Sequence, residues 1–451
     1  QVITIGGVDS TGKNSVNELS YIFLEIMNEH RMRQPNFHAR ISECSTDEYL
    51  NKVYSSLASG SNSPAIYNDE VIIPTMVSNG YSIEDARDYT AIGCVEPVSQ
   101  GRSLSSTDAA LFNVPAILEM ALNRGRRFGC IIKRGMKTDN VSQMKSMEDV
   151  KRAFECQLQF QLERCIKDLR AVEIANRKYH PTPLTSMLID GCLESGKCSS
   201  NGGAKYNFSG LQCVGPADTG DALYAIEKSA FIDKKLSLVE LVLNCKKNFT
   251  NPTILHYLKG MEKYGNDHKR ADLWTGFVVD LFYRLLTNSG TNTRDGKYTC
   301  GLYSVTAHEY FGRVTGAMPN GRKRGEAFAS GIAPTNGADK KGPTAMLNSA
   351  NRIDMSKMAN GVNLNIKFTP HILRGPTGIL ALKNIIKTYF RRGGMQTQIN
   401  VLDSAILKKA RVNPKAYPNL LVRVSGYSAY FNDLTPAVQD EIIERSEMGV
   451  G

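Results

Sequence analysis

The chain has 451 residues, of which 41% are hydrophobic and 22% charged, with 55 basic and 44 acidic side chains giving a net charge of +11. That balance suits a globular protein, built as two or three ordinary domains or as one large α/β barrel, and no apolar run approaches the ~18 residues of a membrane-spanning helix. The basic residues are scattered apart from Arg124-Gly125-Arg126-Arg127 and Arg322-Lys323-Arg324, and neither cluster is interleaved with stacking aromatics, which argues against a nucleic-acid groove.

The first residues, Gln1-Val2-Ile3-Thr4-Ile5-Gly6, read as a strand, with no basic segment or long apolar core of a signal peptide. The absence of an initiating Met gives the expectation of a fragment or a processed chain. Gly6 to Ser15 resembles a P-loop between a strand and a helix, but Asn14 stands where Mg²⁺ binding needs Ser or Thr, and no acidic Walker-B strand follows. Leu19, Ile22, Phe23, Ile26 and Met27 predict one apolar helical face. Phe37, Ala39 and Ile41 alternate with His38, Arg40 and Ser42 as a half-buried strand. A helix over about 47–57 and a short strand over 65–67 come next, and Ser82 with Asp85 marks a further helix start.

A helix is expected from about Asp108 to Asn123, with Thr107 or Asp108 as its N-cap. A long helix follows from Met147 to about Asn176, then glycine-rich loops from Gly191 to Gly220, and buried helices over 236–245 and 271–286. A proline- and glycine-rich tract from Met318 to Thr344 leads into the last hundred residues. There Val362, Leu364, Ile366 and Phe368 alternate as a strand, a helix over 378–392 ends at Gly393-Gly394, and a strand over 396–402 precedes a final helix from Thr435 to Glu447. Alternating helix and strand favour an α/β fold with parallel strands.

The ten cysteines show no CxxC and no zinc spacing, and five residues separate the nearest pair, Cys192 and Cys198. The seven histidines are equally scattered, so no metal site is expected. A chain this long needs no disulfide staples, which points to reduced thiols in the cytoplasm. Two stretches stand out. One is Arg423-Val424-Ser425-Gly426-Tyr427-Ser428-Ala429-Tyr430-Phe431, a glycine between an apolar run and an aromatic-flanked turn. The other is Ile92-Gly93-Cys94-Val95-Glu96-Pro97, where an extended backbone would point Cys94 and Glu96 the same way. A carboxylate beside a thiol disfavours the thiolate, which is wrong for a nucleophile but harmless for a hydrogen-atom donor.

The two stretches, in this order, resemble the signatures of glycyl radical enzymes, and the similarity extends from about Ile5 to Glu447. The resemblance implies the C-terminal part of a ten-stranded α/β barrel over 1–340, carrying the cysteine loop, then a glycyl radical domain over 341–451. It implies Gly426 as the radical glycine, Cys94 as the thiyl cysteine and Glu96 as the general base. It also implies a radical-SAM activating enzyme with a [4Fe–4S] cluster as partner, and no cofactor bound to the chain itself. A homodimer and a cytoplasmic location, in some members within a bacterial microcompartment, go with it. Pyruvate formate-lyases carry two adjacent cysteines, whereas Gly93 and Val95 flank Cys94. Cys-Val-Glu-Pro is the form seen in glycerol and propanediol dehydratases and in choline lyase. Asp108 resembles the substrate-contacting carboxylate of the diol dehydratases. Thr107 would fit the choline lyase pattern, but Leu111 stands where that pattern has Tyr. The expectation is therefore a radical lyase that removes water from a small hydroxylated substrate such as a 1,2-diol. C–N or C–S cleavage, formate acetyltransferase-like activity, a spare radical-domain or scaffold protein and a P-loop nucleotide site remain as alternatives. Family members are considerably longer, so the barrel is expected to be half built, with exposed strand edges.

Overall fold

In the computed structural model, which describes residues 2–445 and 447–448, strands β1 (Val2–Gly6), β2 (Asn36–Ile41) and β3 (Ala65–Asn68) pair in parallel, with Val2 opposite Asn36 and His38 opposite Ala65. A small antiparallel hairpin follows, β4 (Tyr89–Ile92) with β5 (Glu96–Ser99). Strands β6 (Ser106–Asn113), β7 (Ser209–Val214) and β8 (Tyr298–Gly301) are again parallel, as are β9 (Asn365–Phe368) and β10 (Gln396–Val401). A parallel bridge from Leu302 to Val362 joins the chain after β8 to the chain before β9. Strand β10 runs antiparallel to β3.

Through that bridge the order is β6-β7-β8-β9-β10 in one direction, then β3-β2-β1 in the other, and the extended pair Glu447–Met448 lies parallel to the end of β9 at Lys367 and Phe368. These are eight strands of the expected barrel, with β1 and β6 at its margins among the described residues. A second hairpin, β11 (Leu421–Arg423) with β12 (Ser428–Tyr430), lies outside this order. One apolar core runs from Ile5 to Val401, and a smaller one holds Leu402, Leu407, Val422, Val424, Phe431 and Ile442.

Most expected elements are present, with shifted ends. The helix Glu18–His30 is capped by Asn17, but it buries Ser20, Leu24 and Met27, while Leu19, Ile22 and Ile26 are exposed. Of the apolar stripe read from the sequence, Phe23 and Met27 pack on the core, while Leu19, Ile22 and Ile26 do not. The helix expected from Asp108 is a correction. Residues 106–113 form β6, paired to β7, and the helix begins at Val114, where Asn113 accepts from the amide of Ala116 at 3.1 Å. Thr107 and Asp108 therefore cap nothing. The loops expected over 191–220 contain β7, buried at every residue, and the start of the helix Pro216–Ile226. The long helix spans Met147–Tyr179 with Ser146 as its cap. The final helix is Pro436–Glu444; Glu447 is already extended, and Ser446 lies outside the described residues.

The half-buried reading of β2 is a further correction. Asn36, His38 and Arg40 on β2 are buried, and the same holds for Asn363 just before β9, for Asn365 and Lys367 on β9 and for Gln396, Gln398 and Asn400 on β10. Both faces of these strands are covered, as parallel barrel strands require. Their polar side lies under backbone that needs partners, and the second hairpin supplies that backbone.

Candidate active site

The cysteine sits at a hairpin tip. Ile92 pairs with Glu96 across β4 and β5, so Gly93, Cys94 and Val95 make the turn, and Gly93 takes φ +58° to close it. Cys94 is therefore not on a strand face beside Glu96, contrary to the extended reading. Instead the Glu96 carboxylate folds back under the turn, where Oε2 accepts from the amides of Cys94 at 3.0 Å and Val95 at 2.7 Å. Tyr67 on β3 donates its hydroxyl to the Cys94 carbonyl at 2.6 Å, which holds the tip from the barrel side.

The glycine sits at the tip of the second hairpin. Arg423 pairs with Ser428 across β11 and β12, and the amide of Val424 donates to the Tyr427 carbonyl at 2.9 Å. Gly426 has φ +83°, and a Cβ placed on it would run into the Cys94 Cβ and lie 2.6 Å from Cys94 Sγ. No side chain fits there, so the two tips touch only because residue 426 is glycine.

Buried backbone must be hydrogen-bonded, and the polar side of the barrel strands does this for the loop. Asn400 accepts from the Arg423 amide at 2.8 Å and donates to its carbonyl at 3.1 Å. Asn365 donates to the Val424 carbonyl at 3.3 Å, and Asn363 donates to Ser425 Oγ at 2.8 Å. The Gly426 amide donates to Gln398 Oε1 at 2.9 Å, while its carbonyl accepts from Asn36 at 2.7 Å and from Arg423 at 3.1 Å. The guanidinium of Arg423, 1% exposed, bonds three neutral oxygens: Gln398 Oε1, Ser428 Oγ and the Gly426 carbonyl.

The electrostatics suit a thiol that stays protonated. Burial first, and the Glu96 charge second, push the Cys94 thiol up to about 12. Burial and the nearby Asp108 push Glu96 up to about 7, against the opposing pull of its two amide donors. A carboxyl poised near neutrality is the ordinary condition of a general acid or base.

Asp108 joins this group from β6. The register between β6 and β7 shifts between Ser106 and Ala110, the kind of irregularity that re-aims a side chain. Asp108 Oδ2 accepts from the hydroxyl of Tyr303 at 2.5 Å, and burial raises its pKa. Tyr303, two residues past the end of β8, lies between Asp108 and Glu96, and burial and these carboxylates raise its own pKa. Thr107 contributes its backbone, a carbonyl that accepts from Asn360 Nδ2 at 2.7 Å. The structure thus gathers Gly426, Cys94, Glu96 and Asp108, and adds Tyr303, Asn36, Gln398 and Arg423, which the sequence reading missed. The signal for Gln398 lay in Gln396-x-Gln398-x-Asn400, three amides on one side of a buried strand. Tyr303 carries no such pattern.

The P-loop-like segment takes a different form. Asp9 Oδ1 accepts from the amides of Thr11 at 2.9 Å and Lys13 at 3.0 Å, so the donors a phosphate would need already have an anion. A cleft of about 780 Å³ lies elsewhere, lined by Lys259, Arg322, Lys340 and Glu444 among others, away from Cys94. Among the described residues there is no group of three or more side chains able to hold a metal, and no helix is long and apolar enough to cross a membrane.

Comparison with known proteins agrees with this geometry. Residues 1–312 match the pyruvate formate lyase-like family model, and residues 328–432 match the glycine radical model. The chain is 35% identical to the trans-4-hydroxy-L-proline dehydratase of Clostridioides difficile, over 99% of this chain and 56% of that protein. It is 33% identical to the (2S)-3-sulfopropanediol dehydratase of Klebsiella oxytoca, over 99% and 55%. The glycerol-bound B12-independent glycerol dehydratase of Clostridium butyricum superposes with a TM-score of 0.97 at 38% identity, over 100% of this chain and 57% of that one. The chain thus spans about half the length of the curated relatives it matches. With the two hairpin tips in contact and both family models matched in order, the chain belongs to the pyruvate formate lyase-like glycyl radical enzymes.

Proposed function

We propose that the protein carrying this chain is a radical dehydratase that removes water from a small vicinal hydroxyl compound such as a 1,2-diol. The observation that carries the reading is the contact of Gly426 with the Cys94 thiol, beside a buried carboxyl near neutrality. A radical stored on the Gly426 Cα takes the hydrogen atom of the Cys94 thiol, leaving a thiyl. The thiyl takes a hydrogen atom from a substrate carbon that bears a hydroxyl. Glu96 takes that hydroxyl's proton and passes it to the neighbouring hydroxyl, which leaves as water, while Asp108 accepts from the substrate's hydroxyls to hold them in place. The resulting carbonyl-conjugated radical recovers a hydrogen atom from Cys94, and the thiyl so formed takes a Cα hydrogen atom back from Gly426, restoring the radical there. Positioned proton transfer of this kind contributes ~10²–10⁴ in rate.

The Asp108–Tyr303 pair beside Glu96 supports a hydroxyl-bearing substrate, since Tyr303 gives its hydrogen to Asp108 Oδ2 and the other carboxyl oxygen is left to accept from a substrate hydroxyl. The names of the relatives support the same class. The reading includes activation by a radical-SAM enzyme carrying a [4Fe–4S] cluster, a homodimer, and a cytoplasmic site, within a microcompartment where one is present. The division at residue 340 also stands as a proposal. The small core beginning at Leu402 supports a separate radical unit, although residues 346–401 pack in the large core. The test is anaerobic turnover of the activated protein on glycerol, 1,2-propanediol and choline. Loss of water from a diol, abolished by Cys94→Ala, is expected. Turnover of choline alone would overturn the substrate class.

A further inference from the structure

Among the described residues, Asn36 is the one side chain that donates to both hairpin tips. Its Nδ2 lies 2.7 Å from the Gly93 carbonyl and 2.7 Å from the Gly426 carbonyl, so both amide hydrogens are used, one on each loop. The residue is 5% exposed at the head of β2, where it pairs with Val2 in the rigid parallel ladder. Its Oδ1 is buried with no partner, and a flipped amide would set that oxygen against two carbonyl oxygens, so the donors must face the loops. The two loops are otherwise held separately. Tyr67 anchors the Cys94 carbonyl, whereas Gln398, Asn400 and Arg423 anchor the glycine loop. These anchors stand on paired strands, with Gln396 on β10 opposite Tyr67 on β3, but none of them bonds both tips at once.

We infer that Asn36 is a positioning residue that fixes the separation across which the hydrogen atom passes between Cys94 and Gly426. This rests on the radical roles proposed above for those two residues. The step it aligns is balanced: the S–H bond of Cys94 breaks and a Cα–H bond forms on Gly426, one hydrogen atom moving with its electron and the spin moving to sulfur. Such a transfer is steep in distance, and a misplacement of about 1 Å is enough to cost on the order of 10²-fold in rate. Storage of the radical does not need that alignment, because the Gly426 amide and carbonyl keep Gln398 and Arg423 when Asn36 is gone.

The transfer can be read without substrate. A thiol exchanges its hydrogen with solvent, so in D₂O reversible transfer places deuterium on the Gly426 Cα, and the hydrogen splitting of the radical's resonance collapses. The experiment compares wild type, Asn36→Leu, Asn36→Asp and the Cys94→Ala control, each activated anaerobically. We expect a doublet of comparable amplitude in all four, a collapse in D₂O for wild type, none for Cys94→Ala, and a collapse slowed on the order of 10²-fold in both Asn36 variants. Collapse at the wild-type rate in either variant overturns the inference and leaves the radical roles standing. Loss of the doublet in both variants also overturns it, since Asn36 would then be needed to build the loop rather than to align it. No doublet in wild type overturns the inference and the radical roles together.

Discussion

Replacing Glu96 with Gln separates the electrostatic strain of the site from its chemistry. Glu96 is 1% exposed, and burial with Asp108 nearby lifts its carboxyl from 4.5 to about 7. Below pH 4.5 the group is protonated in both folded and unfolded chains, and folding bears no cost. As pH rises from 4.5 to about 7 the unfolded chain loses the proton while the folded one keeps it, so stability falls, and above about 7 the cost is complete. The gap of about 2.5 pH units corresponds to about 3 kcal/mol. Gln keeps the shape and can still accept from the amides of Cys94 and Val95 through Oε1. Urea unfolding at pH 5, 6.5 and 8 should therefore show Glu96→Gln close to wild type at pH 5 and more stable by up to about 3 kcal/mol at pH 8. The same variant should lose ~10²–10⁴ in turnover. A stability difference that does not grow with pH would refute the claim that Glu96 is a strained, titrating carboxyl.

Tyr303→Phe removes the hydroxyl that stabilises the charged forms of Asp108 and Glu96, so the acid limb of kcat/KM against pH should move up by about one unit; an unchanged or lowered limb contradicts the pairing. Asp69→Asn leaves the Arg40 guanidinium buried without its carboxylate, with which it makes bonds of 2.9 and 2.8 Å, and should cost about 3–5 kcal/mol in urea unfolding, whereas a surface-like cost under 1 kcal/mol would contradict it. Gly426→Ala forces a side chain into a left-handed backbone and against Cys94, and should cost about 1–3 kcal/mol; a melting curve identical to wild type would mean the two tips are not in contact.

The sequence revealed most where chemistry and turn geometry coincide. Gly426 and Cys94 stood out because each sits in a short, distinctive run, and the helices Met147–Tyr179 and Lys269–Thr287 because their apolar spacing is long and regular. Residues 106–113 misled because Asp, Ala and Leu suit a helix, and only the parallel partner β7, about a hundred residues later, turns them into a strand. The polar side of β2 misled for a related reason, one that applies to β9 and β10 as well. Alternation signals which residues share a face, but not whether that face meets water or a buried loop. Here Asn36, Gln398 and Asn400 meet the backbone of residues 423–426. Thr107 next to Asp108 shows the same limit, since nothing local to the pair says which side chain the irregular stretch of β6 presents.

The central claim is that Gly426 stores the radical in contact with Cys94. Electron paramagnetic resonance after anaerobic activation with a radical-SAM activating enzyme, S-adenosylmethionine and a reductant tests it most directly, with wild type beside Gly426→Ala. A doublet from the single α-hydrogen in wild type, absent from Gly426→Ala, is the predicted result. A doublet that persists in Gly426→Ala, or none in wild type under conditions that charge a characterised relative, would contradict it.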